Sequence, residues 1–256
     1  MKNFICVVII VALIFIVGYK VYPMVTKGEK AADANTSANR TSVEKANTIS
    51  EENDKEEKAS FSNDDRYKDV ISQYKEAYET FDLDNFESEE EISSKYNLVN
   101  PSLIVHVAQY SENGVELTYE YYDVDQNGVD ELIVGASGAA GAIYSFDENN
   151  NKAVKIFYQD TMERGNLSIY DNGVLLSAGS AGAVVHIYEF GKISDDGKSY
   201  ELFEAIQEEY EMGSDELPTY KDVNTNKELK YKSYDEIAEK YLSGAKEVEL
   251  KDYKKL

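Results

Sequence analysis

The chain is short of the residues that most catalytic and nucleic-acid-binding proteins depend on. It has one cysteine, Cys6, in 256 residues, so no intramolecular disulfide can form. That excludes a small disulfide-stapled ectodomain and is compatible with export from a bacterium that makes few disulfides. Histidine occurs twice, as His106 and His186, each inside an apolar, strand-like run. A zinc site would want more His or Cys than this chain supplies, and both histidines read as core or sheet-face residues, with a ligand or base as the alternative. Arginine occurs only at Arg40, Arg66 and Arg164, so no guanidinium cluster can grip phosphates or anionic sugars. Lys and Arg together number 26 against 49 Asp and Glu, a formal charge of −23. Phosphate backbones repel such a surface, which sets nucleic acid aside as a partner. The small-residue stretches Gly135-Ala136-Ser137-Gly138 and Gly179-Ser180-Ala181-Gly182 lack the spacing of a nucleophile elbow and the lysine of a phosphate loop. They read as places where sheet backbones approach closely, with the lining of a ligand groove as the alternative. Tryptophan is absent and 21 tyrosines carry the aromatic content, including Tyr119, Tyr121 and Tyr122; amphipathic core edges suit tyrosine, and aromatic rows also suit carbohydrate or peptide contact.

Charge is nearly absent from the N-terminal segment. Residues 4–25 read FICVVIIVALIFIVGYKVYPMV, interrupted only by Lys20. About 20 residues span the hydrocarbon core if Lys20 snorkels to the interface. The competing reading is a cleaved signal peptide, but the nearest Ala-x-Ala, Ala32-Asp33-Ala34, lies well beyond the apolar core, and Cys6 stands at its start, where lipidation does not occur. The sequence therefore predicts an uncleaved single-pass signal anchor over 1–25. Lysines flank both sides, so charge alone leaves orientation open; the long acidic remainder, with no second span, places the domain outside the cytoplasm. From Thr26 to Asp64 large apolar residues almost vanish, which predicts a disordered stalk. A marginal charged helix would serve the same spacer role. Residues 65–256 form the expected globular domain.

That domain opens on a helical stripe. Tyr67, Val70, Ile71, Tyr74, Ala77, Tyr78 and Phe81 recur at helical spacing. A second helix is expected after Ser88, with Glu91 in capping-box position, and Asn100-Pro101 is expected to end the helical part. Strands follow at Leu117–Tyr122, Leu132–Val134, Ile143–Phe146, Ala153–Tyr158, Leu167–Tyr170, Val174–Ala178, Val184–Phe190 and Tyr200–Ile206. The turn signals between them include Asp171-Asn172-Gly173. Ser233 and Glu236 make a capping box for a C-terminal helix. An internal repeat relates about 115–160 to 167–206. In each copy an apolar strand enters a Gly/Ala/Ser stretch, and a strand ending Tyr-x-Phe follows. Tyr144 and Phe146 recur as Tyr188 and Phe190 at a spacing of about 44 residues, a propeller-blade-like period. Two copies are too few for a full propeller. The predicted fold is α+β, mainly antiparallel β, with two propeller-blade-like sheets closed by N- and C-terminal helices.

The motif with chemistry is Asp123-Val-Asp125-Gln-Asn127-Gly128-Val129-Asp130-Glu131-Leu132. Oxygen-bearing side chains fall at positions 1, 3, 5 and 9, with glycine at 6, where a positive φ lets a loop double back around a hard cation. Position 12 is Val134, so the bidentate glutamate of an EF-hand is missing. The loop resembles the calcium-binding hairpin of integrin-α-type FG-GAP repeats. The stretch from Tyr67 to Leu256 more loosely resembles exported proteins of low-GC Gram-positive bacteria that carry one such motif. The resemblance implies Asp123, Asp125 and Asn127 as side-chain ligands, Val129 through its carbonyl, and Glu131 at the ninth position, where aspartate is commoner. It implies Ca2+ as the ion. The competing readings are an ordinary acidic turn whose Asx side chains bond their own backbone and a different cation.

These features predict a membrane-anchored, calcium-binding extracytoplasmic interaction module of the bacterial cell envelope. Its partners would be the membrane, through residues 4–25, and an envelope protein or cell-wall glycan. The alternative is a cell-envelope hydrolase or accessory enzyme with an unrecognised carboxylate site, whose paired acids would face one cleft.

Overall fold

A computed structural model describes residues 62–160, 162, 164–213 and 216–256, all within the unit Glu57–Leu256. The expected anchor, and the expected stalk except for its last residues, lie outside the described residues. Among the described residues no helix is long and apolar enough to cross a membrane.

Helix α1, Asn63–Thr80, starts inside the stretch assigned from sequence to the stalk. Ser62 fixes that start: its Oγ accepts from the Asp65 amide at 3.2 Å, while Asp64 and Asp65 face the positive end of the helix dipole. Of the stripe, Tyr67, Val70, Tyr74 and Ala77 are buried, Ile71 and the C-cap Phe81 are partly buried against the same core, and Tyr78 is exposed. Helix α2, Glu89–Lys95, begins after Ser88 as expected, but the Ser88 side chain makes no capping bond. The third helix corrects the sequence reading. Asn100-Pro101 does not end the helical part; it opens α3, Pro101–Tyr110. Proline suits the first helical position because its missing N–H would have no intrahelical acceptor there, and Asn100 Oδ1 caps the helix from the Ser102 amide at 3.1 Å. His106 therefore stands on a helix. Helix α4, Tyr234–Leu242, has the expected cap, Ser233 Oγ accepting from the Glu236 amide at 3.4 Å.

The rest is antiparallel β. Strands β1 (Leu117–Tyr122), β2 (Glu131–Ala136), β3 (Ala139–Asp147) and β4 (Lys152–Tyr158) form one meander. Strands β5 (Gly165–Ile169), β6 (Leu175–Ser180), β7 (Val185–Ile193) and β8 (Tyr200–Glu209) form a second, extended by the short β9 (Thr219–Asp222) and β10 (Glu228–Leu229). A two-residue strand, β11 (Lys254–Lys255), pairs with the β1 edge. Where two sheets were expected, the 11 strands form one continuous hydrogen-bonded sheet that does not close. The continuity between the meanders is narrow, with one register pair, Ala140 with Leu167. Beyond it the same edge of β3 turns to β4, so the sheet forks at Gly141. Asn100 sits in the fork, its Nδ2 donating to the carbonyls of Gly141 (2.8 Å) and Gln159 (3.0 Å).

Period-2 alternation sorts the strands into three apolar layers. Leu132, Val134 and Tyr144 pack with α1 and α3. Ile133 and Ile143, on the opposite face, meet Leu167, Ile169 and Leu175 of the second meander in a shared core. Leu176, Phe190 and Ile206 point away from that core and meet Ile237 of α4.

The small-residue reading holds at Gly135, meets only ordinary contact at Gly179, where a Cβ would lie 3.4 Å from the Arg164 carbonyl, and fails at Gly182. A Cβ at Gly135 would overlap the Ala139 carbonyl, whereas one at Gly182 would meet nothing within 4 Å. Gly135 also stands at a register shift between β2 and β3, so the backbones come together there with no room for a methyl group. Gly135→Ala should lower stability by about 1–3 kcal/mol through overpacking, whereas Gly182→Ala should leave the urea midpoint nearly unchanged; equal midpoints for the two variants would refute the close approach.

Candidate metal centre

The motif forms the connection from β1 to β2, with Tyr122 paired to Glu131 across its base. Gly128 takes φ +86°, the left-handed value expected of it, and Gln126 takes φ 61° without being glycine. The loop is held by its own side chains. Asp123 Oδ2 accepts from the Gly128 amide at 3.0 Å, Asp125 Oδ1 from the Asn127 amide at 3.1 Å, and Asn127 Oδ1 from the Val129 amide at 2.7 Å. Asn127 Nδ2 donates to Asp125 Oδ2 at 2.9 Å. These are the Asx bonds of an acidic turn, and they leave specific oxygens free.

Glu131 is fully buried. Its Oε2 accepts from the Val124 amide at 2.9 Å, which aims the carboxylate back into the loop, but its Oε1 is buried and has no partner. Asp123 Oδ1 is buried and unpartnered in the same way. One carboxylate oxygen from each of Asp123, Asp125 and Glu131 falls within 4.8 Å of the other two, a group of a size that can hold a metal ion. Of the five sequence-predicted ligands the structure gathers these three. Asn127 lies beside them with its oxygen engaged by Val129, although an amide oxygen has a second lone pair to offer. Val129 is seen here through its N–H, as donor to Asn127.

The electrostatics follow from burial and repulsion. Loss of water pushes the Glu131 carboxyl up to about 8, helped by the charges of Asp125 and Asp123 and opposed by the Val124 N–H. Burial also raises the Asp125 carboxyl, with the Asp123 charge acting the same way. Unpartnered buried carboxylate oxygens are costly, and like charges this close need either protons or a cation between them. The donor set, all hard oxygens, suits Ca2+ or Mg2+ rather than a soft metal.

Helix α1 supports the loop from outside. Tyr67 Oη donates to the Asp130 carbonyl at 2.8 Å, and Asn63 Nδ2 to Asp130 Oδ2 at 2.7 Å. Sequence spacing gave no sign of this tie, because the partners are more than sixty positions apart in the chain. The two histidines stay out of the triad: the His106 ring lies against Tyr110 and the His186 ring against Tyr210.

No family model and no curated protein matches this chain. Among solved structures it is similar to a Xanthomonas type IV secretion system related protein, at 15% identity and a TM-score of 0.33, over 43% of this chain and 57% of that one. At that TM-score the likeness carries no argument about fold or function.

Proposed function

We propose that the protein is a calcium-binding, FG-GAP-like interaction module of the bacterial cell envelope, held at the membrane by residues 4–25. The observation that carries the ion reading is the pair of buried, unpartnered oxygens, Asp123 Oδ1 and Glu131 Oε1, on two residues whose carboxylates group with that of Asp125. A turn built only to reverse the chain has no reason to leave a fully buried glutamate half-satisfied. Asp123, Asp125 and Glu131 would hold the ion, with Asn127 and the Val129 carbonyl completing the set. A bound cation would neutralise the charges that burial otherwise penalises. Each meander, with its four antiparallel strands, is taken as a blade-like unit, the helices at either end covering the outer faces. The net charge of −23 supports solubility and cation binding and leaves an envelope protein or cell-wall glycan as the partner class.

Thermal unfolding tests the ion. Binding to the native state alone adds about 1.4 kcal/mol when calcium is at roughly ten times Kd. For a domain of this size that corresponds to a rise of about 3–6 °C. Extracellular modules bind at about 10⁻⁴–10⁻³ M, so millimolar calcium should produce the rise and magnesium a smaller one. Asp123→Ala and Asp125→Ala should each remove it. Identical melting of the wild-type protein in EDTA and in calcium would reduce the loop to an acidic turn.

A further inference from the structure

We propose that the cation site acts as a joint: ion binding locks the second meander, and the segment that follows α4, onto the first meander through Val124 and Gln126. This rests on the reading of the loop as a cation site and assigns that site a regulatory consequence. The starting point is how little else joins the meanders within the sheet, a single register pair between Ala140 and Leu167. The loop supplies two further connections. Val124 lies between the ligands Asp123 and Asp125, and its side chain is buried in the core shared by both meanders, beside Ile133, Ile169 and Leu175. Its amide is the donor that aims Glu131. Fixing Asp123, Asp125 and Glu131 around an ion therefore fixes the backbone that inserts Val124.

The second connection is Gln126, whose Nε2 donates to the Asp171 carbonyl at 2.5 Å. A left-handed φ at a non-glycine residue persists only where its surroundings hold it, and this contact is one such restraint. Asp171 belongs to the β5–β6 turn, which approaches the loop closely enough that a Cβ at Gly173 would lie 3.4 Å from the Val124 carbonyl. Asp171 in turn grips the segment after α4, its N–H donating to the Lys246 carbonyl (2.9 Å) and its Oδ1 accepting from the Lys246 amide (2.8 Å). Two residues on, the Val248 amide donates to the Ile169 carbonyl at 2.7 Å, and Val248 and Leu250 pack on the shared core. A continuous set of hydrogen bonds and packed side chains thus runs from the ligands to the second meander and the terminal segment. The ion stabilises one arrangement of that set over looser ones, which is the differential interaction that a switch requires.

Hydrogen–deuterium exchange on the full chain in detergent, in EDTA and in calcium at ten times Kd, reads the joint directly. In the wild type calcium should slow exchange about tenfold in 123–131 and also in 169–174 and 246–248. Gln126→Ala keeps every ligand, so calcium should still protect 123–131 while the gain at 169–174 and 246–248 shrinks. Asp123→Ala should remove every calcium-dependent change. Protection confined to 123–131 in the wild type would overturn the joint and leave the cation site standing, and so would distal protection undiminished in Gln126→Ala. No calcium-dependent protection of the loop would overturn the cation site and the joint with it.

Discussion

Replacing Glu131 with glutamine should raise the melting temperature of the metal-free protein at pH 8 and abolish its response to calcium. Both effects follow from one buried carboxyl. Burial first, and the Asp125 and Asp123 charges next, push Glu131 up to about 8 from an ordinary 4.5. The native state therefore keeps a proton that the unfolded chain has already released, and stability falls as pH rises through the window from about 4.5 to about 8. At about 1.4 kcal/mol per pKa unit the loss is on the order of a few kcal/mol. Metal-free wild-type protein should thus melt higher at pH 5 than at pH 8, by roughly 5–10 °C. A glutamine has no charge to desolvate. Its oxygen can still accept from the Val124 amide, and its NH2 adds no charge beside Asp123 and Asp125, so the variant should show a much flatter pH profile. On the proposed cation reading the same substitution removes one of three charged ligands, and the calcium increment should go with it. Calcium bound as proposed would have to displace the Glu131 proton, so in the wild type its stabilisation should grow from pH 5 to pH 8 as binding releases fewer protons. Calorimetry of both proteins at the two pH values, in EDTA and in calcium, measures all of this. A flat metal-free wild-type profile, or a glutamine variant that melts lower than wild type at pH 8, would show that Glu131 is not a strained carboxylate.

Whether a feature was legible in the sequence depended on how local its cause is. The stripe on α1 and the eight long strands follow from side-chain period within a single element. The position of the loop follows from an oxygen pattern with one glycine, and Gly128 takes its expected φ. Helix α3 was misread because Leu103-Ile104-Val105-His106-Val107 is as apolar and β-branched as a buried strand, and Asn-Pro serves equally as a stop and as a start. The short strands have no pattern of their own. Lys254 and Lys255 are a strand only because β1 offers its edge. The joining of two expected sheets into one rests on the pairing of Ala140 with Leu167, a contact without local signature. At the site, spacing picks out five residues, of which the structure groups Asp123, Asp125 and Glu131. Spacing does not show that Glu131 is fully buried, because its neighbours include Tyr67 of α1, on which its charge acts and which is remote in sequence.

Asn100→Ala should be among the most damaging polar substitutions in the domain, because this residue organises the fork of the sheet. Asn100 is 2% exposed and uses every polar group it has. Its Nδ2 holds the Gly141 and Gln159 carbonyls together where β3 leaves one neighbour for another. Its Oδ1 caps α3 at the Ser102 amide. Its own amide donates to Tyr74 Oη at 2.9 Å, and that hydroxyl lies 2.9 Å from the Tyr144 hydroxyl, which donates to the Leu98 carbonyl at 2.7 Å. Alanine keeps the backbone bond to Tyr74 but loses the other three. The lost cap costs about 1 kcal/mol, and a buried carbonyl left without its donor costs about 1–3 kcal/mol. Gly141 retains the Gln159 amide as a partner, so the sum stays at about 2–4 kcal/mol. Asn100→Asp separates the two roles. It preserves an acceptor for the cap but turns a carboxylate oxygen toward two carbonyl oxygens, so at pH 7 it should cost at least as much as alanine and recover part of that loss near pH 4, where a protonated carboxyl can donate again. Urea unfolding at both pH values, with the slope unchanged from wild type, measures the difference. If the aspartate variant matched wild type at pH 7, the cap alone would account for Asn100, and the junction of the two strand pairings would have to be held by backbone bonds.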